Sequence, residues 1–351
     1  MIYRGHKPVH WCKHCHTALA EAEIEYSDET SPSIFVRFEM TSKPAGLENF
    51  DGPVDFIIWT TTPWTIPSDQ AVSLKPGAAY VAVEHEGRAE VMLEDLAPKC
   101  CEEFGWEYTP VMVDGKPYVV PAETFHHIHY KQPIFDGVEG VALLADYVGV
   151  DDGTGIVHNS PGHGVDDYFA CLKEGITDIC MPVDDDGKFY TGEEFGTGGP
   201  FSGMDTDEAN PHIIEFLRER GTLVLEKKIT HSYPHCWRCK QPIIFRATPQ
   251  WFCSVDSFKD EAIAACEDVR WVPAWGKDRM RSMILERTDW CISRQRRWGL
   301  PIPVFYCKDC GKPVCTPESI EAVAGLFEKE GSNAWFDRDA ADILPKGFTC
   351  P

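Results

Sequence analysis

Short apolar runs bounded by turn residues dominate the first two-thirds of the chain. Phe35-Val-Arg-Phe38 alternates, whereas Val54-Asp-Phe-Ile-Ile-Trp59 is nearly continuous, as a strand covered on both faces is, and runs into Thr60-Thr-Thr-Pro-Trp-Thr65. Further strands are predicted at 79–83, 89–93, 118–120 and 141–144, separated by Gly, Pro and Asp in the pattern of a barrel or sandwich. Helical spacing is rarer. It occurs at 94–104, at 166–174 and most clearly at 208–220, where Ile213, Phe216 and Leu217 share a face and Gly221 follows the end. From Lys227 the character changes, with a strand expected at 250–255 and helices at 258–266 and 277–285. The expectation is an α+β chain, rich in β-structure.

One stretch, residues 153–168, reads differently from its surroundings. A short strand around Ile156 and Val157 leads into a loop, and a helix is expected to open at Asp166. The loop holds His158, Ser160, His163, Asp166 and Asp167 around Gly162 and Gly164, which are expected to adopt backbone geometries that a Cβ disfavours. A polar constellation on a turn is a common form of binding site. Gly153 and Gly155 lack a third glycine at the dinucleotide-binding spacing, so that reading is poor. Asp166 and Asp167 stand where a helix begins, and capping competes with binding as their role.

Composition narrows the function classes. The chain has 351 residues, room for two or three domains, and a formal net charge of −23, which argues against a wholly electrostatic grip on nucleic acid. No apolar run approaches the roughly 20 residues that span a bilayer, so no membrane partner is expected. Residues 277–298 are nonetheless locally basic, with seven Lys/Arg against three Asp/Glu, while 151–210 carries fourteen Asp/Glu against two Lys. That basic stretch is a nucleic-acid contact, a contact with an inner helix of a neighbouring domain, or a set of solvated or ion-paired arginines.

Fifteen cysteines, several in Cys-x-x-Cys pairs and with no secretory signal ahead of them, point to reduced thiols, metal and a cytoplasmic protein. Cys12/Cys15 and Cys236/Cys239 have matching spacing. A structural zinc ion takes four such ligands, so the two pairs are expected to share one Zn2+ and clamp the ends of the insertion between them. His10, His14, His16 and His235 rank below the cysteines as ligands. A third pair, Cys307/Cys310, lacks a full partner, with Cys315 nearby and Cys350 as the expected third ligand of a second site interrupted by the end of the chain. A zinc-deaminase reading fails because no His-x-Glu occurs.

Trp59-Thr-Thr-Thr-Pro-Trp-Thr-Ile-Pro67, residues 153–168 and Trp290-Cys-Ile-Ser-Arg-Gln-Arg-Arg-Trp-Gly-Leu-Pro-Ile-Pro303 together resemble the isoleucyl-tRNA synthetases, a class I aminoacyl-tRNA synthetase family, over essentially the whole chain. The resemblance implies a β-barrel editing (CP1) domain at 31–226, a zinc-knuckle stem of the catalytic domain at 1–30, a second knuckle and return into that domain at 227–303, and the start of another Cys-rich insertion at 304–351. Neither His-x-Gly-His nor Lys-Met-Ser-Lys-Ser is present, so the chain is expected to be an internal piece that does not itself use ATP to charge tRNA. Its implied activity is hydrolysis of tRNA(Ile) mischarged with valine, and of valyl-adenylate. Its implied partners are the aminoacylated 3′ end and the rest of the synthetase, in a monomer. Isoleucine against valine is the standard case for a second, sieving site, because one missing methylene discriminates weakly.

The resemblance also implies roles. Asp167 anchors the substrate ammonium and Asp166 is left as the helix cap. His158 lies against the substrate side chain and excludes isoleucine. Thr60, Thr61 and Thr62 face the adenosine and the ester. Trp64, Gly162, His163 and Gly164 complete the substrate cradle, with water attacking an ester whose oxyanion meets backbone N–H groups. Asp69 stands where the family commonly has asparagine, which removes an amide donor. Two other readings are a zinc-stapled tRNA-binding or structural module, and the editing region of a valine or leucine enzyme.

Overall fold

The computed structural model describes residues 2–296 and 299–350; Arg297 and Trp298, part of the basic stretch and of the 290–303 motif, lie outside the described residues. The chain falls into two units, Met1–Ile292 and Ser293–Pro351.

In the first unit, β1 (Ile2–Cys12) pairs antiparallel with β15 (Ile244–Cys253), and β2 (Thr17–Leu19) and β16 (Trp290–Cys291) complete a four-stranded sheet. β3 (Ile24–Glu39) and β14 (Leu223–Cys236) form a long antiparallel ribbon, from Val36 opposite Leu223 to Ile24 opposite Cys236. The outer half of β3 is exposed and the inner half, from Ile34, is buried. One strand thus serves as stem and as core.

The inner half joins β4 (Val54–Thr60), β6 (Ala79–His85), β7 (Arg88–Leu93) and β10 (Val119–Pro121) in a six-stranded sheet. Between β7 and β10 come α1 (Ala97–Phe104) and the small hairpin of β8 (Met112–Val113) and β9 (Lys116–Pro117). β5 (Ala71–Leu74), β11 (His129–Lys131), β12 (Glu139–Leu144) and β13 (Ile156–Asn159) form a separate sheet in the order β11-β12-β5-β13. Ile34, Phe38, Phe56, Ile58, Tyr80, Val91, Phe125 and Tyr130 fill one continuous core.

The expected closed barrel is not found among the described residues. The reason lies in Pro63–Ser68, a 3-10 turn with prolines at both ends that interrupts the ladder. β4 enters that turn in the six-stranded sheet and β5 leaves it in the other, with one isolated bridge, Met40 to Tyr130, between the sheets. The result is a mixed α/β, sheet-rich unit. α2 (Val165–Lys173) follows β13 directly, and α3 (Thr206–Glu219) begins at a capping box of Asp205 and Glu208. α4 (Lys259–Glu267) and α5 (Gly276–Glu286) pack against each other.

The second unit holds the two-stranded β17 (Phe305–Tyr306) and β18 (Pro313–Val314) and the longer α6 (Pro317–Glu330). No helix among the described residues is long and apolar enough to cross a membrane.

Candidate active site

β4 ends at Thr60 and hands the chain to the 3-10 turn, so the threonine run sits where a strand stops making ladder bonds and its hydroxyls pair locally. Thr60 Oγ1 lies 3.3 Å from Thr62 Oγ1, which lies 3.4 Å from Thr65 Oγ1. Thr65 Oγ1 donates to the Thr62 carbonyl at 2.8 Å and stands 3.1 Å from His158 Nε2. His158 Nδ1 is 3.3 Å from Asp69 Oδ1, and Tyr130 donates its hydroxyl to Asp69 Oδ2 at 2.5 Å. A buried polar chain therefore runs from Thr60 through Thr65 and His158 to Asp69 and Tyr130. β13 and β5 pair with His158 opposite Val72, which sets the ring beside the turn.

Both nitrogens of His158 are engaged. A ring protonated on both satisfies Thr65 and Asp69 at once. A neutral ring does so only if Thr65 turns its proton from Thr62 or Asp69 carries one. Burial pushes the Asp69 carboxyl up from the usual carboxylate range, opposed by His158 and Tyr130.

Asp167 lies in the first turn of α2. Its Oδ2 accepts from the backbone N–H of Ser160 at 3.0 Å and its Oδ1 from the Tyr147 hydroxyl at 3.1 Å. Burial pushes it up to about 6, opposed first by the nearby His158 and then by the Ser160 and Tyr147 hydrogen bonds. Ser160 spends its own hydroxyl on the Thr65 carbonyl at 2.7 Å, which links the loop to the threonine turn and leaves no nucleophile there. Asp166 is exposed in the same first turn; the cap position is Gly164, so Asp166 complements the helix dipole and is not the cap.

The two glycines act differently from expectation. Neither Gly162 nor Gly164 has a left-handed φ; that geometry falls at Gly153 and Gly155, with φ of 71° and 72°. What excludes a side chain is contact. A Cβ on Gly162 meets the Cys180 carbonyl oxygen at 2.2 Å, and one on Gly164 meets Asp167 Oδ2 at 2.4 Å. Gly164 thus makes the space that the Asp167 carboxylate occupies.

Trp64 and His163 are buried against each other, with ring centroids 4.7 Å apart. The Trp64 backbone N–H donates to Asn210 Oδ1, and His163 Nδ1 faces the Phe245 carbonyl. Burial lowers His163 to about 4. These two form the floor beneath the loop. Thr61, Thr62 and Trp64 also line a cavity of about 290 Å³ on the stem side, with Lys13, Asp207 and Asn210; His158 and Asp167 are not among its walls.

Three contributors escaped the sequence reading. Tyr147, which also accepts from Asn159 Nδ2 at 2.5 Å, Tyr130 and Thr65 each reach the site by tertiary contact. Only Thr65 carried a signal, its place at the end of the threonine stretch.

At the base of the stem, β1 ends at Cys12 and β14 at Cys236. The Sγ atoms of Cys12, Cys15, Cys236 and Cys239 lie within 4.8 Å of one another, with Cys12 and Cys239 3.5 Å apart. Four thiolates around zinc at about 2.3 Å stand roughly 3.8 Å apart, so this donor set fits the ion. In the second unit Cys307, Cys310 and Cys350 form a three-thiol cluster, and Cys315 is outside it. Among the histidines weighed as ligands, His235 is held by Ser27 and Glu29, and His16 by Asp186.

A family model for tRNA synthetases of class I (I, L, M and V) matches residues 1–349. The chain is 46% identical over 356 residues to the isoleucine–tRNA ligase of Natranaerobius thermophilus, covering 99% of this chain and 36% of that protein. With the isoleucine–tRNA ligase of Desulfitobacterium hafniense the identity is 47% over 353 residues, again 99% and 36%. The chain thus spans about a third of the length of these relatives. The editing domain of the P. falciparum cytosolic leucyl-tRNA synthetase matches with a TM-score of 0.41 and 11% identity, over 56% of this chain and 98% of that one, a likeness too distant to bear on the site.

Proposed function

This chain belongs to the class I tRNA synthetases of the isoleucine, leucine, methionine and valine group, and on that premise we propose that its first unit hydrolyses the ester of tRNA(Ile) mischarged with valine. The observation that carries the reading is one connected polar system: Ser160 joins Asp167 to Thr65, and Thr65 joins the threonine run to His158. The ammonium of the aminoacyl group pairs with Asp167, whose hydrogen-bond partners, an amide and a phenol, carry no positive charge. The ester lies along Thr60–Thr62, with a water held between that run and the Gly162–Gly164 loop and the oxyanion met by backbone N–H groups. His158 is clamped at both nitrogens, which suits a wall that measures the side chain rather than a mobile base. Asp69 fixes its orientation. Trp64 and His163 support the cradle from beneath, and Asp166 adds charge at its rim.

Zinc, when held by Cys12, Cys15, Cys236 and Cys239, ties the feet of the stem together. The Cys307/Cys310/Cys350 cluster takes a second ion once a fourth donor is supplied. ATP-dependent charging of tRNA(Ile) with isoleucine, and residence in the cytoplasm as a monomer, belong to the whole synthetase.

Deacylation of Val-tRNA(Ile) by this chain, against a control without protein, is the deciding experiment. Asp167→Ala is expected to abolish it, and His158→Ala to extend hydrolysis to Ile-tRNA(Ile). Wild-type rates in Asp167→Ala overturn the ammonium assignment. Tight tRNA binding with no deacylation favours the zinc-stapled binding module, and hydrolysis of Thr-tRNA in preference to Val-tRNA points to a valine enzyme.

A further inference from the structure

A third cluster of metal-ligating side chains lies at the opposite end of α2 from Asp167. The chain leaves the 3-10 turn Ala122–Phe125 through His126 and His127. Consecutive side chains on an extended strand point to opposite sides. Here His127 has a left-handed φ of 64°, which turns both imidazoles to one side with ring centroids 3.8 Å apart. Both Nε2 atoms face the same oxygen, Oε2 of Glu174, at 3.4 Å from His126 and 3.2 Å from His127. Glu174 is the residue that ends α2. His126 Nε2 is buried and makes no hydrogen bond of acceptable geometry.

Two explanations compete for these spacings. A charged N–H···O contact is expected at about 2.7–2.9 Å. Donors around a tetrahedral ion at about 2.0–2.2 Å stand roughly 3.3–3.6 Å apart. His127 Nε2 is within hydrogen-bond range of Glu174 Oε2, whereas His126 Nε2 at 3.4 Å is not bonded, and the three ligand atoms lie within 4.8 Å of one another, as the donors of one ion do. An ion between them also gives the unsatisfied His126 nitrogen a partner.

We propose that His126, His127 and Glu174 form a binding site for a divalent first-row metal ion, with zinc the expected occupant of a two-imidazole, one-carboxylate set. Three protein donors leave a fourth position for water. The segment carrying the histidines is tied to the sheets, with Ala122 N–H on the Ala78 carbonyl and His127 N–H on the Ala142 carbonyl. The ion therefore fastens the end of α2 to the sheets. This site stands independently of any reading of Asp167.

The test is zinc and cobalt titration of the whole chain after chelation, comparing wild type with His127→Ala and Glu174→Gln. The side chain of His127 is 63% exposed, so its removal leaves the fold in place, which far-UV circular dichroism checks. Wild type is expected to bind one equivalent more than either variant. For cobalt, that equivalent adds no thiolate charge-transfer band, which separates it from the cysteine clusters. Its affinity falls at least about tenfold in each variant, and zinc raises the unfolding temperature of wild type more than that of the variants. Equal stoichiometry and equal thermal shifts in all three proteins overturn the proposal and leave a histidine–glutamate ion pair.

Discussion

Inside the six-stranded sheet, Asp55 and Glu90 face each other across the parallel strands β4 and β7 and are met by Arg88 and Arg37. Just past the end of β4, Asp69 and Asp167 are met by hydroxyls, a backbone amide and one histidine, and among the described residues neither takes an ion pair from Lys or Arg. Asp55, Glu90 and Asp69 are out of water, and Asp167 is half-buried. In the first region, Arg88 and Arg37 meet Asp55 and Glu90, Arg88 also reaches Glu39, which Lys131 pairs in turn, and the cluster needs nothing from outside. In the second, two carboxylates share at most one imidazolium. A buried carboxylate without a cation is costly. A ligand that brings a positive charge removes that cost, which is the physical reason for assigning the substrate ammonium to Asp167 and a purely structural role to the Asp55–Glu90 pair.

The largest effect expected from this contrast comes from Asp167→Asn. The amide keeps the shape and the oxygen facing Ser160 N–H but cannot pair with an ammonium, so single-turnover deacylation of Val-tRNA(Ile) should fall by about a hundredfold or more. Stability should change little. A rate within threefold of wild type would show that the uncompensated charge is not what the substrate meets. The pH profile supplies the same test without mutation. Pairing needs the ionised carboxylate, and burial holds Asp167 at about 6. Wild-type deacylation should therefore be lost as pH falls through about 6, and the contribution of the pairing lost again as the substrate's α-ammonium deprotonates near about 8.

Removing a cation from the matched cluster should have the opposite signature. Arg88 donates to both Asp55 oxygens, at 2.7 and 2.8 Å. Arg88→Met keeps the apolar stem and strands that carboxylate, costing about 3 kcal/mol in urea unfolding. Deacylation per folded molecule should be unchanged. A large loss of activity at intact stability would dissolve the distinction between the two regions.

How far the sequence disclosed these regions follows from the range of the contacts. The threonine run announced itself because Pro63 and Pro67 punctuate a buried strand, and the 153–168 loop because glycine, histidine and aspartate crowd a strand-to-helix turn. Helix α3 was legible from one apolar face. Tyr130 and Tyr147 were not legible: Tyr130 reaches Asp69 across 61 positions, and nothing local marks either tyrosine. The glycines were found for the wrong reason, since Gly164 answers to the Asp167 carboxylate rather than to its own φ. The barrel failed because periodicity reports strands but not which sheet each joins. The prolines that marked the site also moved the chain from one sheet to the other.

A smaller effect is expected where the two regions are made more alike. Asp69→Asn replaces the carboxylate with an isosteric amide and so removes one of the two carboxylates. The side-chain oxygen can still accept from Tyr130, and His158 keeps a hydrogen-bonding neighbour. Deacylation of Val-tRNA(Ile) should stay within about tenfold of wild type, with the limb near pH 6 in place because Asp167 sets it. Loss of discrimination against Ile-tRNA(Ile) would instead show that the ionic clamp on His158 is what holds the ring in register.

The smallest effect tests whether the matched cluster is fully matched. Glu90 Oε1 takes Arg37 Nε at 2.7 Å, but Oε2 is buried without a hydrogen bond. Burial, and then the Asp55 charge opposite, push Glu90 up to about 7. A carboxyl whose pKa is higher folded than unfolded favours the folded state most below its unfolded value, about 4.5, and that contribution is lost as pH rises through about 7. Glu90→Gln keeps the oxygen that Arg37 uses, removes the charge and places an NH2 where the unpaired oxygen stood, on the residue paired with Asp55 across the strands. The variant should match wild type near pH 5 and exceed it at pH 8 by on the order of 1 kcal/mol. Taking the difference between the two proteins cancels the similar contributions of Asp69 and Asp167. A variant less stable than wild type at pH 8 would mean that the Glu90 charge is needed by Arg37 and Arg88, and that the four groups act as one ionic network rather than as two pairs with a strained carboxylate between them.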